Sequence, residues 1–87
     1  MSNLGLFTID TKKKYVKLTD IIDIELTENT KYLMQVQAND PFYFCVSTEL
    51  PEKGGFKTGL DPFTYTPVSG ADLYICTYGK LYLNVAI

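Results

Sequence analysis

The closing stretch limits most sharply what this chain can fold into. Asp72 to Ile87 reads Asp-Leu-Tyr-Ile-Cys-Thr-Tyr-Gly-Lys-Leu-Tyr-Leu-Asn-Val-Ala-Ile. Leu73, Ile75 and Thr77 alternate with Tyr74, Cys76 and Tyr78. Leu81, Leu83 and Val85 then alternate with Tyr82, Asn84 and Ala86. A period of two is the mark of a strand. The stretch predicts two strands closing on a tight turn at Tyr78-Gly79-Lys80. Its apolar set is too dense for a loop, and an end reading Asn-Val-Ala-Ile is expected to be paired and buried.

The rest of the chain repeats the same signals. Leu4 to Ile9 reads as a strand or an extended arm, weakened as an interior strand by Gly5. Asp10 to Lys14 is a polar turn. Its three lysines read as a solvated loop or, more sharply, as a contact to an acidic surface. Tyr15 to Leu18 is a short strand. Asp20 to Leu26 predicts a further strand, with Ile22, Ile24 and Leu26 on one face and Ile21, Asp23 and Glu25 on the other. Thr27 to Thr30 turns the chain. Lys31 to Gln37 returns with Tyr32, Met34 and Val36 inward. A helix over 20–37 competes, but the isoleucines, threonines and the central Asn-Thr break oppose it.

Asn39-Asp40-Pro41 stops that ladder. Phe42 to Ser47 is a buried or nearly buried strand with Phe42, Phe44 and Val46 on one side and Tyr43, Cys45 and Ser47 on the other. Thr48 to Asp61 is irregular, broken by Pro51, Gly54, Gly55 and Gly59, and long for a hairpin loop. Phe56 at its middle reads as a lid over the core or as an anchor for a partner pocket. Pro62 to Pro67 reads as a strand with a proline at each end, and so as an edge strand. Ser69-Gly70 leads into the closing pair. Short strands with turns every 8 to 12 residues predict an all-β fold: an antiparallel β-sandwich, or a small jelly-roll-like barrel, of seven or eight strands. Residues 1–87 form a single β domain, with 1–14 as a candidate N-terminal arm.

Composition narrows the chemistry. The chain has eight cationic residues, all lysine, ten acids, no His and no Arg, for a net charge of -2. Without His there is no triad base, imidazole metal ligand or switch near neutral pH. Without Arg there is no bidentate phosphate clamp. A mildly acidic chain lacks the electrostatic footprint of a nucleic-acid binder. No apolar run reaches the ~20 residues of a membrane helix. The first residues do not form a signal peptide, so Cys45 and Cys76 are expected as free thiols in a reducing cytosol. Both sit mid-strand, opposite the strongest apolar set, as small buried hydrophobes that could be cross-strand neighbours. Asp20, Asp23 and Glu25 lack the spacing of a calcium loop. No catalytic, cofactor or metal residues are assigned, and enzyme activity is not expected. Seven Tyr among the aromatics suit faces that meet other surfaces.

One resemblance adds to this. Asp23 to Gln37 (Asp-Ile-Glu-Leu-Thr-Glu-Asn-Thr-Lys-Tyr-Leu-Met-Gln-Val-Gln) is followed by Asn39-Asp40-Pro41-Phe42-Tyr43-Phe44 and a Pro/Gly loop. Leu60-Asp61-Pro62-Phe63-Thr64-Tyr65, Ser69-Gly70 and Leu73 to Thr77 come next, with Gly79 leading to Leu83-Asn84-Val85. This order resembles small β-rich structural proteins of tailed-bacteriophage virions, of the head-decoration, cement or minor-structural kind. The resemblance implies a virion protein made in the bacterial host cytoplasm. It would bind capsid or other virion subunits as a homo-oligomer, a dimer or trimer, without nucleic acid, membrane or cofactor. From expected exposure, Leu4, Leu6, Phe7 and Phe56 are candidate partner contacts. The alternative is a tail- or fibre-associated β-module for carbohydrate or receptor, stacking sugars on Tyr43, Tyr74 and Tyr82.

Overall fold

The computed structural model describes residues 3–52 and 59–87. Seven strands account for just under half of them: β1 (Asn3–Ile9), β2 (Tyr15–Lys17), β3 (Tyr32–Ala38), β4 (Phe42–Ser47), β5 (Phe63–Tyr65), β6 (Asp72–Thr77) and β7 (Leu81–Ala86). One 3-10 turn, Leu18–Asp20, follows β2, and no α-helix occurs among the described residues. The strands form two antiparallel sheets packed as a sandwich. One has the order β1-β7-β3-β5 and the other β2-β6-β4.

Consecutive strands never share a sheet, because odd-numbered strands build the larger one and even-numbered strands the smaller. The ladders nest: β1 pairs with β7, β2 with β6 and β3 with β5. Further ladders join β3 to β7 and β4 to β6. This is a long ribbon folded over at β4 and rolled up, the pairing order of a jelly roll.

The period-two pattern dictates what fills the space between the sheets. Leu81, Leu83 and Val85 of β7 are fully buried, as are Met34 of β3, Phe44 of β4 and Ile75 of β6. The ring of Phe44 lies 4.9 Å from that of Phe63 and 5.9 Å from that of Phe42. These side chains form one cluster with Ile9, Leu18, Ile22, Tyr32 and Tyr65.

Several expectations need correction. The closing pair is not a hairpin: β6 and β7 lie in different sheets, and Tyr78-Gly79-Lys80 arches between them. The Asn39-Asp40-Pro41 link between β3 and β4 arches beside it. The two arches touch, since the Tyr78 amide donates to the Pro41 carbonyl at 3.0 Å. A Cβ on Gly79 would meet the carboxylate of the exposed Asp40, so any larger residue there needs that side chain to move.

Residues 20–26 are not a strand. The amides of Ile21 and Ile22 both donate to the Leu18 carbonyl, and the chain then runs on without a ladder. The expected faces are kept all the same. Ile22 is buried and Ile24 and Leu26 pack on the core, while Ile21, Asp23 and Glu25 are exposed. β3 already has β7 on one edge and β5 on the other, so no edge remains for the hairpin partner expected here. Tyr15 to Leu18 is shorter than expected, since Leu18 opens the 3-10 turn.

Leu4 to Ile9, left open between strand and arm, is strand. β1 carries a register shift between Asn3 and Gly5, and the glycine fits that irregularity. β5 sits at a sheet margin, as its flanking prolines suggest. Cys45 and Cys76 are free thiols. They share a face but lie diagonally, since Cys45 is opposite Tyr74 and Cys76 opposite Tyr43.

Candidate functional site

Two surfaces stand out, one on each side of the sandwich. The first is the outer face of the four-stranded sheet. None of its four strands contains a charged residue. Register places Leu6, Asn84 and Gln35 in one row across β1, β7 and β3, and Thr8, Tyr82 and Gln37 in the next. The Asn84 amide donates to Gln35 Oε1 at 2.9 Å, which ties β7 to β3 on this face. Leu6 is 70% exposed and Tyr82 42%. Leu6 and Tyr82 border a shallow depression with the amide side chains. Depletion of charge with an aromatic at the centre is the pattern of an interface core rather than of ordinary surface.

The second surface is a cleft over the outer face of the three-stranded sheet. Tyr15, Cys76 and Tyr43 align across β2, β6 and β4. The small Cys76 thus lies between two tyrosines and forms a floor. Tyr78 closes one end, its ring 6.2 Å from that of Tyr43 and inclined at 73°. Lys13 and Lys14 stand on one lip, and Leu50, Pro51 and Glu52 line the cleft as well. The space measures about 580 Å³, within the range of small-molecule sites.

The lysine lip is held in an unusual conformation. Lys12 and Lys13 have φ of 56° and 68°, in the left-handed region that costs a side-chain-bearing residue about 1–2 kcal/mol. Specific hydrogen bonds impose it. The Lys12 amide donates to Asp10 Oδ1 at 3.0 Å, and the Lys13 amide donates to the Thr77 carbonyl at 2.8 Å. Below them, Thr11 and Thr77 exchange hydrogen bonds, each backbone amide donating to the other's hydroxyl at 2.8 Å.

The Tyr15 hydroxyl is buried and has no hydrogen-bond partner among the described residues. An unpaired buried hydroxyl costs about 1–3 kcal/mol. Burial pushes its pKa up, and the nearby Cys45, Cys76, Tyr43 and Tyr78 add to this. Burial also raises the Cys76 thiol, against a lowering by its hydrogen bond to Thr11. Cys76 therefore stays a thiol and is a poor nucleophile. Among the described residues, no group of three or more His, Cys, Asp or Glu could hold a metal ion.

The sequence-derived contact residues scatter over these surfaces. Leu6 and Tyr82 lie on the uncharged face, and Tyr43 lines the cleft. Tyr74, expected to be exposed, is buried at 7% exposure, because it sits in the central strand of its sheet between Lys17 and Cys45. Leu4 and Phe7 pack against the core, since pairing of β1 with β7 turns them inward. Phe56 lies outside the described residues. The sequence did not mark Tyr15 or Tyr78. Only the cross-strand register brings them beside Tyr43, and register was not readable from β2, three residues long.

Fold and surfaces together define a two-sheet, all-antiparallel sandwich with one uncharged face and one aromatic cleft. Comparison with protein-family models, with curated proteins and with solved structures returns no match.

Proposed function

We propose that this protein is a non-enzymatic structural component of a tailed-bacteriophage virion, binding and stabilising the assembled capsid as a decoration or cement protein. The uncharged outer face of the four-stranded sheet carries the reading. Covering Leu6, Tyr82 and the amides around them strips no ion of its water, so a wide flat contact forms without the desolvation cost of buried charge. The order of turns and strands from Asp20 onward, which resembles small virion proteins, supports the choice of partner. Jelly rolls recur in viral capsids and lectins, which supports it by analogy of fold alone.

The protein works as a dimer or trimer. Among the described residues β4 lies at a sheet margin, and it reads Phe-Tyr-Phe-Cys-Val-Ser without a charge, proline or glycine. A margin of this kind favours pairing with another strand, and identical chains close into symmetric rings. Synthesis takes place in the bacterial host cytoplasm and the protein is carried in the virion, with no part for nucleic acid, membrane or cofactor.

Sedimentation with purified phage shells stripped of accessory proteins tests the reading. The protein is expected to pellet with shells saturably. Leu6→Lys and Tyr82→Lys should fold, since both side chains are exposed, yet remain in the supernatant. Failure to pellet with any virion part overturns the proposal.

A further inference from the structure

We propose that the cleft over the three-stranded sheet binds an acidic saccharide, a pyranose that carries a carboxylate. The proposal does not depend on the capsid reading, since the cleft and the uncharged face lie on opposite sheets.

Four observations converge on this ligand. Tyr15 and Tyr43 flank a floor made by Cys76, a slot in which the C–H face of a sugar ring packs on an aromatic ring. At about 580 Å³ the cleft exceeds the needs of one ring and admits a disaccharide. A turn of the Tyr15 ring toward the ligand would bring its hydroxyl, closed to solvent and without a partner among the described residues, to a ring hydroxyl as donor and acceptor. Lys13 and Lys14 stand on the rim together with Glu52.

The mixed charge of that rim selects among ligands. A neutral aromatic would leave the lysines and Glu52 unanswered. A phosphate dianion would find no arginine fork and has no donor for the Glu52 carboxylate. A sugar acid satisfies both signs, because its carboxylate meets a lysine ammonium while its hydroxyls donate to Glu52. The strained Lys12-Lys13 backbone, tied down by Thr77, keeps the rim in place before the ligand arrives, which lowers the ordering cost of binding.

The test is titration of the isotope-labelled full chain, followed by amide chemical shifts. The probes are digalacturonate, N-acetylneuraminic acid and, as the neutral control, lactose. At least one acidic probe is expected to shift the amides of Tyr15, Tyr43, Cys76 and Tyr78 saturably, and lactose to bind about tenfold more weakly for want of the ion pair. Tyr15→Phe should bind about tenfold more weakly with a melting temperature equal to or above that of the parent, so lost affinity cannot be ascribed to misfolding. Lys14→Gln should weaken each acidic probe that binds the parent and leave lactose unchanged. Tyr82→Ala should have no effect. Absence of saturable shifts with both acidic probes overturns the proposal. So does equal binding of lactose, or parent-like affinity in Tyr15→Phe. If a proline-rich acidic peptide shifts these amides where neither sugar acid does, the cleft is a peptide site and the saccharide assignment is wrong.

Discussion

Thr77 joins the core to the lysine lip. Its amide donates to Thr11 Oγ1, its hydroxyl accepts from the Thr11 amide, and its carbonyl accepts from the Lys13 amide. Thr77 is 1% exposed, so nothing replaces its hydroxyl when it is removed. Thr77→Val keeps the shape but strands the Thr11 amide, and is expected to cost about 1–3 kcal/mol in urea unfolding. Thr77→Ser should recover most of that loss. The buried acids make a second prediction at this scale. Tyr15 and Tyr65 are raised above 10.0, and Cys76 above 9.0, chiefly by burial. The unfolded chain therefore releases these protons first as pH rises, and the fold loses stability through the alkaline range. The contribution is fully present below pH 9.0, the ordinary thiol value. A thermal melt series from neutral pH upward should show the midpoint falling beyond that point, less steeply in Tyr15→Phe. A flat profile would contradict the burial of these groups. Residue-level burial was largely legible in the sequence: Ile22, Tyr32, Met34, Phe42 and Phe44 all point inward as alternation requires. Tyr74 was not, because the pattern says which side chains share a face but not that both faces of β6 are covered.

At the scale of elements, alternation read most side-chain burial correctly, with Val46 exposed and Tyr74 buried against it, and backbone pairing poorly. Residues 20–26 alternate as cleanly as any strand, yet run along the core without a ladder, because both edges of β3 are occupied. The apparent hairpins at Asn39-Asp40-Pro41 and Tyr78-Gly79-Lys80 fail for a related reason. Turn residues mark where a chain reverses, and a reversal between stacked sheets looks the same in sequence as one within a sheet. Neither is a glycine-led two-residue hairpin turn. The candidate cleft was illegible for the same reason, since Tyr15, Cys76 and Tyr43 meet only through ladders between strands distant in the chain. Two predictions belong here. Gly79→Ala pushes a methyl group into the exposed Asp40 side chain and should cost about 0.5–1.5 kcal/mol by forcing it from its rotamer, with part of the cost relieved in an Asp40→Ala background. A fully additive double mutant would place the strain elsewhere. Native-state hydrogen exchange should be slowest in β3, β6 and β7, which have neighbours on both sides, and fast in β5 at its margin. Comparable protection of β5 and β7 would contradict the sheet order.

Over the whole molecule, nested pairing joins β1 to β7, so the two ends of the described chain close one sheet together. Such ladders are long-range throughout, which predicts slow folding for so small a chain. Rolling the ribbon also sorts charge. The strands of the larger sheet are free of it, while the smaller sheet carries Lys17 and Asp72, paired at 3.5 Å. One side is thus suited to broad contact with another surface and the other to a small ligand. The central claim is that the first side meets the capsid, and side-chain oxidation by hydroxyl radicals, free and shell-bound, addresses it most directly. The account predicts that binding protects Leu6 and Tyr82 and leaves Tyr43 and Tyr78 as reactive as in solution. Protection of Tyr43 and Tyr78, with Leu6 and Tyr82 unchanged, would contradict it.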